Sequence, residues 1–216
     1  MSKHGSALAA AAYLKKSPAV WSEFETDVYV REYHDHVALA VRGTEFAESV
    51  FSGHFLKAGW SNALDVLKDL RFFPWKIGIG WVHRGFYRGA KRWYNRYGLK
   101  IAEMNKPVCI YGHSLGAAVA VQLAVIMKDA GFFVHHVHVY GEPPGFYGKS
   151  AENYRAKGIR TVSYVFGDDW IQRAKFPGLK AKTSVPATKV GWDSGNSRSD
   201  HNIYNYVKAF QPRYSK

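Results

Sequence analysis

The 216-residue chain predicts an α/β fold, a sandwich built on a mostly parallel sheet. Three observations carry that reading. Strand-like and helix-like segments alternate along the chain. The apolar run at residues 108–111 is short and uninterrupted, which suits a strand buried on both faces. A helical pattern over residues 115–130 follows it directly and stops at Gly131. With 47% hydrophobic residues this length fills one substantial core, and no repeat or long linker divides it. Residues 1–216 therefore read as one domain.

The elements follow in order. Residues 5–14 are alanine-rich and helical, and Lys15-Lys16 closes them where a secretory leader would carry a cleavage site. The segment reads as a first helix and not as a signal peptide. Residues 28–33 and 37–41 are strands paired around Asp35. Residues 62–70 and 86–104 carry helical patterns. In the longer one, Phe86, Ala90, Trp93 and Tyr97 form a stripe suited to burial. Arg84, Arg88, Arg92, Arg96 and Lys100 recur every four residues and form a second, basic stripe. Residues 133–140 and 161–166 are further strands, and residues 202–210 a last helix.

The net charge is +13 and the pI about 9.7, a balance that raises anionic partners. Between residues 84 and 100 there are six basic residues and no acid. The plain reading is a solvated helix face, and the functional one is contact with an anionic membrane surface. No apolar stretch reaches the roughly 18 residues of a membrane span. Cys109 is the one cysteine, so there is no internal disulfide framework. It falls inside a buried strand and reads as a small core residue. A cytoplasmic location is the default expectation, and a secreted protein without disulfides also fits.

The chemistry is concentrated at Gly112-x-Ser114-x-Gly116, between a predicted strand and a predicted helix. A sharp turn there lifts one hydroxyl clear of the sheet, at the positive end of a helix, and needs neighbours without bulk. That is the setting of a nucleophilic serine. Such a serine needs a base and an orienting acid, which follow it in the order acid, then histidine. Of ten histidines, only His201 lies beyond residue 138, in a polar loop opening the last helix. The acid belongs after a late strand, where Gly167-Asp168-Asp169-Trp170 follows residues 161–166.

These residues resemble the class 3 lipases, the fungal-type triacylglycerol lipases and their bacterial relatives. Val41-Arg42-Gly43-Thr44 is similar to the family's oxyanion segment, and Asp69-Leu70-Arg71 and Val82-His83-Arg84-Gly85-Phe86 match two further blocks. Gly112 to Gly116 spells the family's "GHSLG", and Tyr140-Gly141-Glu142-Pro143 resembles its next strand end. The resemblance implies an α/β-hydrolase-type three-layer sandwich. It also implies Ser114 as nucleophile, His201 as base, and Thr44 and Leu115 as backbone oxyanion donors. It favours Asp169 over Asp168 as the acid, because Trp170-Ile171 then supplies the apolar residues expected after it. Residues 45–61 occupy the place of the family's lid. Ala117, Pro144 and Trp170 depart from the family pattern and leave all three candidate residues in place.

Two other signals are weaker. His135, His136 and His138 lie close together, but strand alternation would put His136 and His138 on one face and His135 on the other. No nearby cysteine is expected to complete a site, so they read as ordinary strand histidines. Gly148-Lys149-Ser150 looks like the end of a phosphate loop, but Pro143 stands where the first glycine is required. No cofactor and no metal are expected. The leading function is a serine ester hydrolase acting on lipid or another acyl ester. A phospholipase or acyltransferase with the same three residues is the near alternative. A basic membrane or nucleic-acid binding module with a vestigial triad is the distant one, with nucleic acid not favoured.

Overall fold

The computed structural model describes residues 2–12, 17–23, 26–43, 73–173 and 180–211. Thr44, segment 45–61, the helix expected at 62–70 and the block from Asp69 to Arg71 lie outside them. From the amino end the chain forms helix α1 (Ser2–Ala11) and strands β1 (Val20–Glu23), β2 (Thr26–Glu32) and β3 (Val37–Val41). Strands β4 (Pro74–Ile77) and β5 (Gly80–His83) precede helix α2 (Arg84–Glu103), strand β6 (Val108–His113) and helix α3 (Leu115–Asp129). Strands β7 (Val134–Tyr140) and β8 (Phe146–Tyr147), helix α4 (Ser150–Ala156) and strand β9 (Thr161–Phe166) come next. A 3-10 turn (Trp170–Arg173), strands β10 (Ala181–Lys182) and β11 (Ala187–Val190), and helices α5 (Ser197–Asp200) and α6 (Ile203–Ala209) end the described chain.

Seven strands make the central sheet, in the order β1-β2-β3-β6-β7-β9-β11. The two pairings at the β1 edge are antiparallel, and the four from β3 to β11 are parallel. All five residues of β3 and all six of β6 are buried, as strands covered on both faces must be. Val37, Leu39, Val41, Ile110, Val137 and Val139 pack with α2 and α3 on one face. Ala38, Ala40, Cys109, Tyr111 and Tyr140 pack with α1 and α6 on the other. The result is the expected three-layer sandwich. Among the described residues, no helix is long and apolar enough to cross a membrane.

Helix α2 shows how one stripe is spent on packing and the other on solvent. His83 caps it, with Nδ1 accepting the Phe86 N–H at 3.4 Å. Phe86, Ala90, Trp93 and Ile101 are buried, and Trp93 Nε1 donates to the Trp21 carbonyl at 2.8 Å. Arg88, Arg96 and Lys100 are exposed. Arg84 lies 5.1 Å over the Trp75 ring and Lys100 5.9 Å over Trp21, so the basic stripe rests on aromatics.

Two features differ from the sequence reading. A second, four-stranded antiparallel sheet runs β10-β8-β5-β4, from strands of two to four residues that are too short to show a period. The other difference overturns an argument about the histidines. Val108 pairs with Val134 but Cys109 pairs with His136, so His135 is an extra residue in β7. This bulge breaks the alternation, and His135 Nδ1 and His136 Nδ1 lie 2.8 Å apart on one side. Cys109, distant from them in sequence, also comes close in the fold, with Sγ 3.9 Å from His135 Nδ1.

Candidate active site

Strand β6 ends at His113 and α3 begins at Leu115, so Ser114 is the whole connection. Its φ of 57° and ψ of −133° lie where few non-glycine residues are found, and the turn holds that strain. The flanking glycines are required by close approach. A Cβ on Gly112 would fall 2.5 Å from the Gly116 carbonyl oxygen, and one on Gly116 would fall 2.5 Å from the Arg42 carbonyl carbon. The second contact presses the turn onto the chain that leads from β3 into Gly43. Arg42 is fixed there by an ion pair from Nη1 to Asp27 Oδ2 at 3.2 Å. Leu115 opens α3, so its N–H is one of the donors that a helix's first turn leaves unused by its own backbone. Thr44 lies outside the described residues.

Three side chains from distant parts of the chain meet at the turn. His201, in the turn between α5 and α6, has Nε2 2.8 Å from Ser114 Oγ. Its Nδ1 lies 2.8 Å from Asp169 Oδ2. Asp169 follows β9 and is buried, with its other oxygen accepting the Ile171 N–H at 2.9 Å. Burial alone would raise its carboxyl. The His201 charge and the hydrogen bonds from His201, Tyr206 and Ile171 outweigh burial and hold it below the usual carboxylate value. With Nδ1–H donated to the carboxylate, Nε2 presents its lone pair to the serine. Asp168 does not reach this array through the same contacts. Its backbone N–H donates to Asp200 Oδ2 at 2.9 Å.

Four neighbours carry roles that the sequence did not assign. Tyr206, on α6, donates to Asp169 Oδ2 at 2.5 Å. His113 Nε2 donates to the His201 carbonyl at 2.8 Å, fixing the loop that carries the imidazole. Burial, and then the nearby His201, lower the His113 value to about 3, so it stays neutral. Gly141, at φ 58°, lies against the acid–base pair, and a Cβ there would meet Asp169 Oδ2 at 2.8 Å and His201 Nδ1 at 3.0 Å. Beside it Glu142 is fully buried and accepts the Ser184 N–H and hydroxyl, each at 2.8 Å. Burial pushes its carboxyl up to about 8. The resemblance of Tyr140-Gly141-Glu142-Pro143 to the family's strand end marked the place of Gly141 and Glu142 but not their roles.

The family described as lipase (class 3) matches residues 38–178, about two-thirds of the chain. The chain belongs to the class 3 lipase family. By that membership this class 3 lipase is a carboxylic ester hydrolase. Among curated proteins, none matches its sequence. Among solved structures it is similar to the triacylglyceride lipase of Rhizomucor miehei, with 16% identity and a TM-score of 0.60 over 82% of this chain and 72% of that one. It is similar also to the Lip2 lipase of Yarrowia lipolytica, with 16% identity and a TM-score of 0.62 over 89% and 80%. A variant of MDLA from Penicillium cyclopium gives 18% identity and 0.62 over 92% and 81%. At these identities the likeness shows the fold alone.

Proposed function

We propose that this class 3 lipase cleaves lipid acyl esters through Ser114, His201 and Asp169 by way of an acyl-enzyme. The observation that carries this is the unbroken line from Asp169 Oδ2 through the His201 ring to Ser114 Oγ, 2.8 Å at each step. His201 Nε2 takes the Ser114 proton as Oγ attacks the ester carbonyl carbon. Asp169 holds the imidazole in the right tautomer and offsets the imidazolium charge. The carbonyl oxygen becomes an oxyanion beside the Leu115 N–H, with the Thr44 N–H proposed as its second donor. Each donor of this kind contributes about 3–4 kcal/mol at the transition state. When the tetrahedral species collapses, the carbon–alkoxy bond breaks and His201 returns its proton to the departing alcohol. Water, deprotonated by His201, then attacks the acyl carbon. As the carbon–Oγ bond breaks, His201 returns that proton to Ser114 Oγ, releasing the carboxylic acid and the free serine hydroxyl.

The fungal triacylglycerol lipases among the similar folds support a lipid substrate. Peripheral contact with an anionic lipid surface belongs to the same reading. It is supported by Trp75, 46% exposed with Arg84 over its ring at the start of the basic helix α2. The test of the chemistry is Ser114→Ala. Hydrolysis of p-nitrophenyl butyrate should fall to background while the circular dichroism spectrum is unchanged. Full activity in a folded Ser114→Ala protein would refute the assignment.

A further inference from the structure

The amino end of the central sheet carries a cluster that the ester chemistry does not use. Cys109 is the second residue of β6 and Ser114 follows that strand's end. At about 3.3 Å per residue they lie roughly 16 Å apart along the strand. The bulge at His135 brings two imidazoles to the side of the sheet that holds the Cys109 thiol. One ligand atom from each of Cys109, His135 and His136 falls within 4.8 Å of the other two. Behind this group, His136 Nε2 and the Tyr111 hydroxyl are 2.9 Å apart. When Nε2 carries the proton and donates it to Tyr111, the Nδ1 lone pair faces His135, whose Nδ1 lies 3.9 Å from the thiol. A hydrogen bond on the far nitrogen is what orients a metal-binding imidazole. His138 continues the face, its ring 4.6 Å from that of His136, and its buried Nδ1 has no hydrogen-bond partner among the described residues.

We propose that Cys109 Sγ, His135 Nδ1 and His136 Nδ1 bind a zinc ion, with Tyr111 as the group that orients His136. A thiolate with two imidazoles is a donor set that suits zinc. The distances are close to those it needs. Bonds of about 2.0–2.1 Å to nitrogen and 2.3 Å to sulfur place tetrahedral nitrogens about 3.3 Å apart and nitrogen and sulfur about 3.5 Å apart. The 2.8 Å pair has to open by about half an ångström and the 3.9 Å pair to close by rather less, which small ring rotations accomplish. His135 and His136 are partly exposed and give the ion its route from solvent, while Cys109 is buried. On binding, the thiol proton leaves to solvent and the proton between the two Nδ1 atoms is displaced. Water fills the fourth position. At this distance from Ser114 the ion ties β6 to β7 and takes no part in ester cleavage.

The test uses the full chain, stripped by a chelator and titrated with cobalt(II) as the spectroscopic probe. One equivalent should produce a thiolate-to-cobalt absorption band in the near ultraviolet, and zinc should displace it and raise the melting temperature. Cys109→Ser should abolish the band. His135→Ala spares the buried core and should weaken zinc and cobalt binding at least about tenfold, since loss of a ligand costs no less than loss of an outer partner. Hydrolysis of a soluble ester should be unaltered in that variant. Absence of the band in the unmodified chain would overturn the proposal. So would cobalt affinity unchanged in His135→Ala, whether or not Cys109→Ser folds.

Discussion

Tyr206 donates its hydroxyl to Asp169 Oδ2, the same oxygen that faces His201 Nδ1. The carboxylate is thus held from two sides. Each hydrogen bond to a charged group is worth about 1.5–3 kcal/mol. Tyr206→Phe should lower kcat about tenfold with little change in KM, because the imidazole loses a firmly placed partner. Asp169→Asn should lower kcat by about four orders of magnitude through the wrong imidazole tautomer. Asp168→Asn, whose residue meets Asp200 through its backbone, should stay within a few-fold of the unmodified enzyme. Steady-state kinetics on a soluble ester check all three, and a larger loss in Asp168→Asn would move the acid role to that residue.

Gly141 and Gly148 make a controlled pair, since both have φ 58°. Alanine costs about 1–2 kcal/mol of backbone strain at either position. Only at Gly141 does the added methyl meet Asp169 and His201, and at Gly148 nothing lies within 4 Å. Gly141→Ala should therefore lose at least about a hundredfold in kcat, as small misplacements of reacting groups do. Gly148→Ala should lose stability alone. Equal activities per folded molecule would show that the contact at Gly141 is unimportant.

Stability should peak near pH 6.5. Burial pushes Glu142 up to about 8 in the fold, so the fold holds a proton that the unfolded chain releases above about 4.5. That contribution is complete below about pH 4.5 and is lost as pH rises toward 8. Burial holds His83 down to about 4 and His113 to about 3, so stability also falls as pH drops below 6.5 and the unfolded chain takes up protons. Two histidines outweigh one glutamate on the acid side. Glu142→Gln keeps an acceptor for Ser184 and should abolish the decline between pH 6.5 and 8, which thermal melts would show as a shift of a few degrees. A variant with the same decline would place its cause elsewhere.

The exposed Trp75 indole beside Arg84 offers a separate test of surface contact. Basic residues near an anionic membrane contribute about 1 kcal/mol each, and salt screens them. The enzyme should co-sediment with vesicles containing phosphatidylserine more than with phosphatidylcholine alone, and added salt should reduce the difference. Replacing Trp75 with serine should weaken binding without changing soluble-ester hydrolysis. Binding indifferent to lipid charge would count against an anionic interface.

Much of the site was legible because its constraints are local. Gly112 and Gly116 mark a turn that tolerates no side chain on either flank, and the strand before it and helix after it have clear patterns. His201 was found because no other histidine lies late in the chain. What escaped depends on partners far away in sequence. The bulge at His135 exists only relative to β6, so alternation along β7 alone assigned the wrong face. Glu142 reads as a polar loop residue until Ser184 closes over it. Tyr206 is one tyrosine among fourteen, and nothing in its neighbours points to Asp169.

The central claim is that Ser114 is the nucleophile and that His201 with Asp169 activates it. The most direct measurement is mass spectrometry of the enzyme after reaction with a fluorophosphonate, followed by peptide mapping. The expected result is one adduct per chain, on Ser114, formed far more slowly in Asp169→Asn. No adduct, or one on a different serine at an undiminished rate in Ser114→Ala, would contradict it.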